Sequence, residues 1–274
     1  MSNEKRAVNS AAGGRSQAAA PAAPAVRRFS LPGLLYGVGT WVQFLVLGAL
    51  VVPILLLTPG LARRRALVRA LARLALRLAG MRLQVHGLER LPQPCIVVAN
   101  HSSYLDGVVL CATLPPWFSF VIKREMAAVP LAGTLLRRIG AEFVTRGDRV
   151  RGARDARRLL RQAETGQALV FFPEGTFGSN VGLQHFHIGA FAAAVRADLP
   201  LLPVAIHGTR HCLPPDSPWP RPGVIRIESL ALLRPQAAGG NQDDRHQALQ
   251  LRAAARAALL AALGEPDLDQ GAAH

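Results

Sequence analysis

Two apolar runs near the middle of the chain each end in a cluster of polar residues. The first, residues 95–99, reads Cys-Ile-Val-Val-Ala, and a polar cluster follows over residues 100–106. The second, residues 168–172, reads Ala-Leu-Val-Phe-Phe and is followed by Pro-Glu-Gly-Thr over 173–176. Short apolar runs of this kind are typical of buried strands. Because binding loops follow the carboxyl ends of such strands, the two clusters predict one site at one edge of a sheet.

Beyond residue 80, segments with strand character alternate with segments with helix character. The predicted strands are 82–86, 95–99, 118–122, 141–145, 168–172, 201–206 and 224–230. The predicted helices are 104–113, 124–138, 148–165, 188–197 and 243–263. Pro130 interrupts the second helix, so two short helices are expected there. The alternation predicts an α/β fold in which a largely parallel or mixed central sheet is flanked by helices.

The segment 30–58 contains no charged side chain and predicts an N-terminal membrane-embedded helical segment. A spanning helix needs about 20 apolar residues, and this run is longer. A cleaved signal peptide is disfavoured because the run exceeds a usual signal core and three arginines follow it at 63–65. Basic residues flank both ends, which leaves two topologies open: a single span, or a re-entrant hairpin that turns near Gly48 or Pro53.

The next segment, residues 61–80, has the pattern of a basic amphipathic helix. Arginines recur at 65, 69, 73 and 77 and therefore share one face, while leucines occupy another. Such a helix suits an anionic lipid interface. A surface helix with a solvated arginine face is the alternative, and the neighbouring apolar segment favours the membrane interpretation.

The net charge of the chain indicates what kind of partner it binds, and its cysteines and histidines indicate whether it holds disulfides or a metal. Half of the 274 residues are hydrophobic, and the formal net charge is +15. A strongly basic chain favours an anionic partner such as a membrane surface, a nucleic acid or a phosphorylated substrate. The three cysteines are scattered, and the histidines between 185 and 211 lack cysteine or carboxylate partners at ligand spacing. We therefore expect neither a disulfide framework nor a metal site.

His101 and Asp106 are the strongest candidates for chemistry. Histidine is the side chain that titrates closest to neutrality and is the usual general base. A carboxylate beside it can hold one ring nitrogen and stabilise the imidazolium that forms. The spacing of five fits His101 in a loop and Asp106 in the first turn of the following helix. For an isolated pair of this kind, the alternative is structural: the histidine caps the end of a strand and the aspartate caps the start of a helix.

Four short blocks resemble the glycerolipid acyltransferases, the 1-acylglycerol-3-phosphate acyltransferase family. His101 and Asp106 match that family's His-x4-Asp block, and residues 172–176 match its Phe-Pro-Glu-Gly-Thr block. Residues 140–146 resemble its Gly-x-x-Phe-x-x-Arg block, and residues 202–206 resemble its Val-Pro-Val-x-Ile block. The blocks occur in the family's order and cover roughly residues 80–230. Four blocks in order are a far more specific signal than any one alone.

The resemblance implies a membrane-associated O-acyltransferase that acts on lipids. Its acceptor would be a lyso-lipid, first of all 1-acylglycerol-3-phosphate, which would give phosphatidic acid. Acyl-CoA or acyl-carrier protein would be the co-substrate, with no cofactor and no nucleic-acid partner. The enzyme would sit at the inner (cytoplasmic) membrane with its catalytic domain in the cytosol. Residues 1–28 are rich in Ala, Ser, Pro and Gly, and this composition predicts a disordered tail. We expect an anchor with the basic helix (29–80), an acyltransferase domain (81–264) and a frayed tail (265–274) to follow it.

The resemblance also assigns roles to individual residues. His101 would be the general base and Asp106 the group that orients it. Arg146, at a strand end, would bind the headgroup with its planar guanidinium. The acceptor-binding block would be Glu174, Gly175 and Thr176. From their position alone, directly after the predicted strand 118–122, Lys123 and Arg124 are weaker candidates for headgroup binding.

The residues themselves leave some of these roles open. A glutamate at a buried strand end needs a partner, and for Glu174 either an acceptor hydroxyl or a loop amide would serve. Gly175 has the freedom to offer its amide to an oxyanion. An ordinary turn is the alternative for both.

One position departs from the family pattern. The block usually continues Glu-Gly-Thr-Arg, and its arginine is linked to the acceptor's phosphate, whereas this chain has Phe177. Either Arg146 and Arg210 bind the phosphate instead, or the acceptor has another headgroup, such as that of a lyso-ornithine lipid. Two further functions stay open: a thioesterase that uses the same base, and a non-catalytic basic membrane-binding protein.

Overall fold

The computed structural model describes residues 30–89, 91–145, 149–235 and 241–269. The tail predicted over residues 1–28 and the candidate headgroup residue Arg146 lie outside these ranges.

All seven predicted strands form, and they join in one mixed sheet of order β1-β7-β6-β2-β5-β3-β4. Their bounds are β1 Met81–His86, β2 Ile96–Ala99, β3 Phe118–Lys123, β4 Glu142–Val144, β5 Ala168–Phe171, β6 Leu201–His207 and β7 Gly223–Ser229. Neighbouring strands are parallel except β6 and β7. The predicted α/β fold with a largely parallel or mixed sheet is therefore confirmed.

Helices flank this sheet within the described ranges. They are α1 Leu31–Leu57, α2 Leu61–Leu78, α3 Leu105–Thr113, α4 Ala132–Arg138, α5 Arg149–Glu164, α6 Gly189–Arg196, α7 Thr209–Cys212 and α8 Asn241–Leu263. A short 3-10 helix, Arg124–Ala128, precedes α4, so the division expected at Pro130 occurs. The four-residue helix α7 follows β6 directly and was not predicted from the sequence.

The side chains of β2 alternate between two hydrophobic cores. Val97 and Ala99 face the core that includes α3, while Ile96 and Val98 face the core formed with α5, α6 and α8. Because both faces of the strand are covered, every side chain must be apolar, which explains the unbroken run in the sequence. The burial fixes where β2 ends and thus places the first polar cluster at the carboxyl edge of the sheet.

The first two helices form a hairpin that lies against the rest of the protein. α1 is long and apolar enough to cross a membrane. It continues through Gly48 and Pro53, so of the two topologies left open the hairpin with a turn near these residues does not form, and the chain reverses between α1 and α2. Three polar side chains of α1 donate hydrogen bonds to backbone carbonyls of the protein, namely Tyr36, Trp41 and Gln43.

The prediction that the arginine face of α2 meets lipid is corrected by the contacts of its arginines, most of which bind the protein itself. Arg65 donates to the carbonyl of Ile139 at 2.8 Å, just beyond α4. Arg69 and Arg73 donate at 3.1 and 2.7 Å to carbonyls of the last two residues of α3. Helix carboxyl ends carry unpaired carbonyls and partial negative charge, which a guanidinium satisfies. Three of the four arginines therefore dock α2 on the protein, although Arg73, like Arg77, remains exposed to solvent.

The prediction of a frayed tail is corrected over the part of it that the structure describes, because residues 264–269 are bound to the rest of the protein. The amide of Leu183 donates to the carbonyl of Pro266 at 2.9 Å, and the amide of Leu268 donates back to the carbonyl of Leu183 at 3.1 Å. We call residues 264–269 the C-terminal strap, because they are bound along the loop that follows β5.

Candidate active site

The imidazole of His101 and the carboxylate of Asp106 face each other just beyond the carboxyl end of β2. Nδ1 of His101 lies 2.9 Å from Oδ2 of Asp106. Asp106 lies in the first turn of α3 and is fully buried, whereas the His101 side chain keeps 18% of its exposure. The amides of Ser102 and Ser103 donate to the same Oδ2 at 2.7 and 2.8 Å. The ring is therefore held with Nδ1 inward, and Nε2 is directed away from the carboxylate.

Buried polar side chains hold the His101 loop, and sequence reasoning missed the most important of them. Asn100 binds the backbone of Ile206 twice: its Oδ1 accepts the amide at 2.7 Å and its Nδ2 donates to the carbonyl at 3.0 Å. The hydroxyls of Ser102 and Thr209 lie 3.1 Å apart. A polar residue directly after a buried strand was the available signal, but its partner on β6 is 106 positions away.

Glu174 joins the two loops that the sequence predicted to meet. Its Oε1 accepts the backbone amide of His101 at 2.6 Å, and its Oε2 accepts the backbone amide of Gln184 at 2.9 Å. Of the two partners considered from the sequence, the loop amide is the one present. The side chain is buried, at 4% exposure. Contact of Glu174 with an acceptor stays a prediction.

Burial also changes the acid strength of Glu174. Loss of solvent raises the pKa of its carboxyl group to about 7, although the amides of Gln184 and His101 favour the charged form. The charge of Asp106 raises this pKa further, and the guanidinium of Arg256 lowers it. The observed pair of amide contacts suits the ionised carboxylate, since a protonated carboxyl group offers fewer acceptor positions.

The next two residues of the block are placed differently from the expectation. The amide of Gly175 donates to the carbonyl of Phe172 at 3.0 Å, which corrects the idea that it is available to an oxyanion. Gly175 has a φ of 76°, so the turn requires the left-handed region that glycine tolerates. Thr176 is exposed.

Aromatic rings surround the imidazole of His101. Phe172 stacks on it with a centroid distance of 4.2 Å and an interplanar angle of 20°. Phe177, the residue that departs from the family pattern, lies edge-on at 4.5 Å and also contacts the exposed Tyr104 at 4.7 Å. Arg210 donates to the carbonyl of Gly178 at 2.7 Å and so is bound to the loop behind Phe177. At position 177 the site therefore presents apolar surface beside the imidazole.

Lys123 and Arg124, the weaker candidates for headgroup binding, are both paired with other side chains of the protein. Lys123 is the last residue of β3, two strands away from β2 in the sheet, and its ammonium group pairs with Glu125 at 3.6 Å. Arg124 donates to the hydroxyl of Thr145 at 2.7 Å and lies 3.4 Å from Asp155, so it fastens α5 to β4. The structure thus brings together His101, Asp106 and Glu174 but places Lys123 apart from them.

Comparisons with known proteins identify the family to which this fold and loop arrangement belong. The family model named Acyltransferase matches residues 82–207, which include both loops. A 1-acyl-sn-glycerol-3-phosphate acyltransferase of Pseudomonas aeruginosa is 32% identical over 179 residues, which cover 62% of this chain and 67% of that protein. The chain therefore belongs to the glycerolipid acyltransferase family, and the resemblance drawn from the four blocks is confirmed.

Two further comparisons add detail. A lyso-ornithine lipid O-acyltransferase of the same bacterium is 38% identical over 126 residues, 44% of this chain and 46% of that protein. The crystal structure of the 1-acyl-sn-glycerophosphate (LPA) acyltransferase PlsC from Thermotoga maritima shares the fold, with a TM-score of 0.67 and 22% identity over 82% of this chain and 95% of that one. The chain spans less than half the length of the first curated relatives it matches.

Proposed function

We propose that this protein is a membrane-associated O-acyltransferase that moves a fatty acyl group from acyl-CoA or acyl-carrier protein to the hydroxyl of a lyso-lipid. One observation carries the proposal: Nδ1 of His101 is held 2.9 Å from the buried carboxylate of Asp106 at the edge of the sheet. This arrangement leaves Nε2 as the basic nitrogen and gives the imidazolium a fixed counter-charge.

The proposed reaction needs one base and no covalent acyl-enzyme. Nε2 of His101 takes the proton of the acceptor hydroxyl, and the oxygen attacks the thioester carbonyl. A tetrahedral oxyanion forms, the carbon–sulfur bond breaks, and the leaving thiolate takes the proton back from the imidazolium. The neighbouring serines are not needed as nucleophiles: Ser102 is paired with Thr209, and Ser103 donates to the carbonyl of Leu213 at 2.7 Å. The atoms balance without a cofactor.

Two headgroups are candidates for the acceptor. The first is 1-acylglycerol-3-phosphate, with Arg146 as the proposed phosphate-binding residue. The second is a headgroup without phosphate, such as that of a lyso-ornithine lipid. The ring of Phe177 beside His101 and Tyr104 favours the second candidate, because a phenyl ring cannot neutralise a phosphate where the family has a guanidinium.

The hairpin of α1 and α2 is the proposed membrane attachment. Large apolar side chains of α1 are exposed along its length, among them Leu35, Leu45 and Leu50 at 64, 59 and 59%. Its opposite side is tied to the protein by hydrogen bonds of Tyr36 and Gln43. We therefore propose that the outer face of α1 enters the lipid and that the carboxyl edge of the sheet faces the cytosol at the inner membrane.

An acceptor panel with the full-length protein tests the proposal. Labelled acyl-CoA or acyl-carrier protein is supplied with lysophosphatidic acid, lyso-ornithine lipid or no acceptor, and the products are separated. Acylated lipid that depends on His101, and is lost in His101→Ala while vesicle binding persists, is the expected result. Release of free fatty acid at the same rate with and without acceptor would make the protein a thioesterase instead. Turnover retained by His101→Ala would contradict the assigned base.

A further inference from the structure

Arg256, on α8, lies outside the segment that the family model matches, yet it reaches the loop behind Glu174. Its Nη1 donates to the carbonyl of Gln184, and its Nη2 donates to the carbonyl of Leu183 at 2.9 Å. The ring of Phe186 lies 5.1 Å from its guanidinium carbon. The side chain is 11% exposed. Contacts on its edge and on its face therefore hold this planar group in one orientation.

The C-terminal strap completes the same contact. Asp267 accepts a hydrogen bond from Nη2 of Arg256, and Asp269 lies 4.0 Å from its Nε. Asp269 also pairs with Nδ1 of His185 at 3.0 Å. The strap leaves no room for a side chain at Gly182, because a Cβ atom there would lie 2.6 Å from Cγ of Leu268. The loop at 182–185 is thus enclosed between α8 and the strap.

A continuous series of hydrogen bonds leads from this loop to His101. The carbonyl of Gln184 is bound by Arg256, and the amide of Gln184 donates to Oε2 of Glu174. The other oxygen of that carboxylate accepts the amide of His101. Each link is a direct contact between groups with little exposure, so a shift of the loop would move the carboxylate that fixes the His101 backbone.

We propose that Arg256 is a positioning residue for acyl transfer: together with the strap it holds the loop at Gln184, and through Glu174 it holds the backbone of His101. The inference deepens the proposed function and rests on it, because the group being positioned is the proposed base. It adds to the site two parts, α8 and the strap, that lie beyond the four family blocks.

The charges around Glu174 give this role a pH signature. The main chain of His101 contacts Glu174, and the charges of Asp106 and Arg256 both act on its carboxyl group. Asp267 and Asp269 lie beside Arg256, and His185 pairs with Asp269. Removing the guanidinium takes away a charge that lowers the pKa of Glu174. A larger fraction of the carboxyl group would then be protonated at neutral pH, and one of its two amide contacts would be lost.

The test compares Arg256→Gln and Arg256→Lys with the matched control Arg245→Gln, an exposed arginine on the same helix. The full-length protein is assayed for kcat and for both KM values between pH 6 and 9. Hydrogen–deuterium exchange is followed in the peptides that contain the amides of His101 and Gln184. The exchange measurement does not depend on turnover, so it separates failure of this inference from failure of the proposed function.

We expect Arg256→Gln to lower kcat at pH 7 on the order of tenfold to a hundredfold, with the KM for the acyl donor unchanged. Part of the loss should be recovered at higher pH, where Glu174 ionises again, and Arg256→Lys should fall between wild type and Arg256→Gln. Exchange at both peptides should accelerate on the order of tenfold, while the β1 and β7 peptides and the Arg245→Gln control stay unchanged.

Three results would overturn the inference. The first is unchanged exchange at the His101 peptide in Arg256→Gln, and the second is an unchanged kcat. The third is a loss of kcat that is equal at every pH and accompanied by faster exchange throughout the protein, since that marks a purely structural role. If Arg256→Gln does not fold, Asp267→Asn serves instead, with smaller changes expected in the same direction; unchanged exchange at both peptides in that variant would refute the proposal.

Discussion

Replacing Glu174 by glutamine should remove a specific pH dependence from the stability of this protein. Burial raises the pKa of Glu174 to about 7 from an ordinary value of 4.5. Between these two values the folded protein retains a proton that the unfolded chain has released. The free energy of unfolding contributed by this group therefore falls as the pH rises from about 4.5 to about 7 and is constant above that range.

The size of the effect follows from the same two values. Each pKa unit corresponds to about 1.4 kcal/mol, so the full change is about 3 kcal/mol. The Glu174 side chain is 4% exposed, so solvent does little to reduce this figure. Glutamine does not titrate, and its amide can keep only one of the two backbone contacts. Relative to wild type, Glu174→Gln should become progressively more stable between pH 5 and pH 7 while transferring acyl groups more slowly.

Thermal unfolding of both proteins in one detergent at pH 5, 6, 7 and 8 checks this prediction. The difference in Tm between the variant and wild type should grow in the variant's favour up to pH 7 and then level off. Parallel pH profiles, with a constant difference in Tm, would refute the argument, because they would show that Glu174 titrates alike in the folded and unfolded states. Thr176→Ala, which alters an exposed neighbour, is a suitable control.

Three other substitutions test separate parts of the site. Asp106→Asn should lower kcat on the order of a hundredfold, because an amide oxygen can keep both serine amides but not the charge that stabilises the imidazolium; an unchanged kcat would contradict that role. Phe177→Arg should raise kcat/KM for lysophosphatidic acid relative to lyso-ornithine lipid by about tenfold or more, because one hydrogen bond to a charged group contributes that much. The control Phe177→Leu should leave this ratio unchanged. Leu45→Glu should weaken co-sedimentation with lipid vesicles, whereas Leu249→Glu, on α8, should not; equal binding by both variants would argue against α1 as the attachment.

The strands β2 and β5 and the pair of His101 and Asp106 could be predicted because each depends on the residues of one short stretch of chain. Two apolar runs of five residues predicted β2 and β5, because a strand covered on both faces must be apolar throughout. The spacing of five predicted His101 in a loop and Asp106 in the first turn of a helix, as observed. That both clusters lie at one edge followed from the shared direction of parallel strands.

The arginines of α2 show why a local pattern was insufficient elsewhere. A guanidinium every fourth residue predicts a basic helix face, and that face forms. The same face can meet lipid phosphates or the free carbonyls at the end of another helix, and nothing in the spacing distinguishes the two. The contacts of Arg69 and Arg73 with the end of α3 depend on how α2 packs.

The sequence by itself determined the order of strands and helices along the chain, the family and the chemical pair His101 and Asp106, because each depends on residue type at short spacing. Only the tertiary structure decided what Glu174 binds, where Gly175 directs its amide, and that Arg256 and the strap support the same loop. These contacts join positions far apart in the chain, and burial decides them: a polar group removed from water takes whichever partner the packing brings within reach.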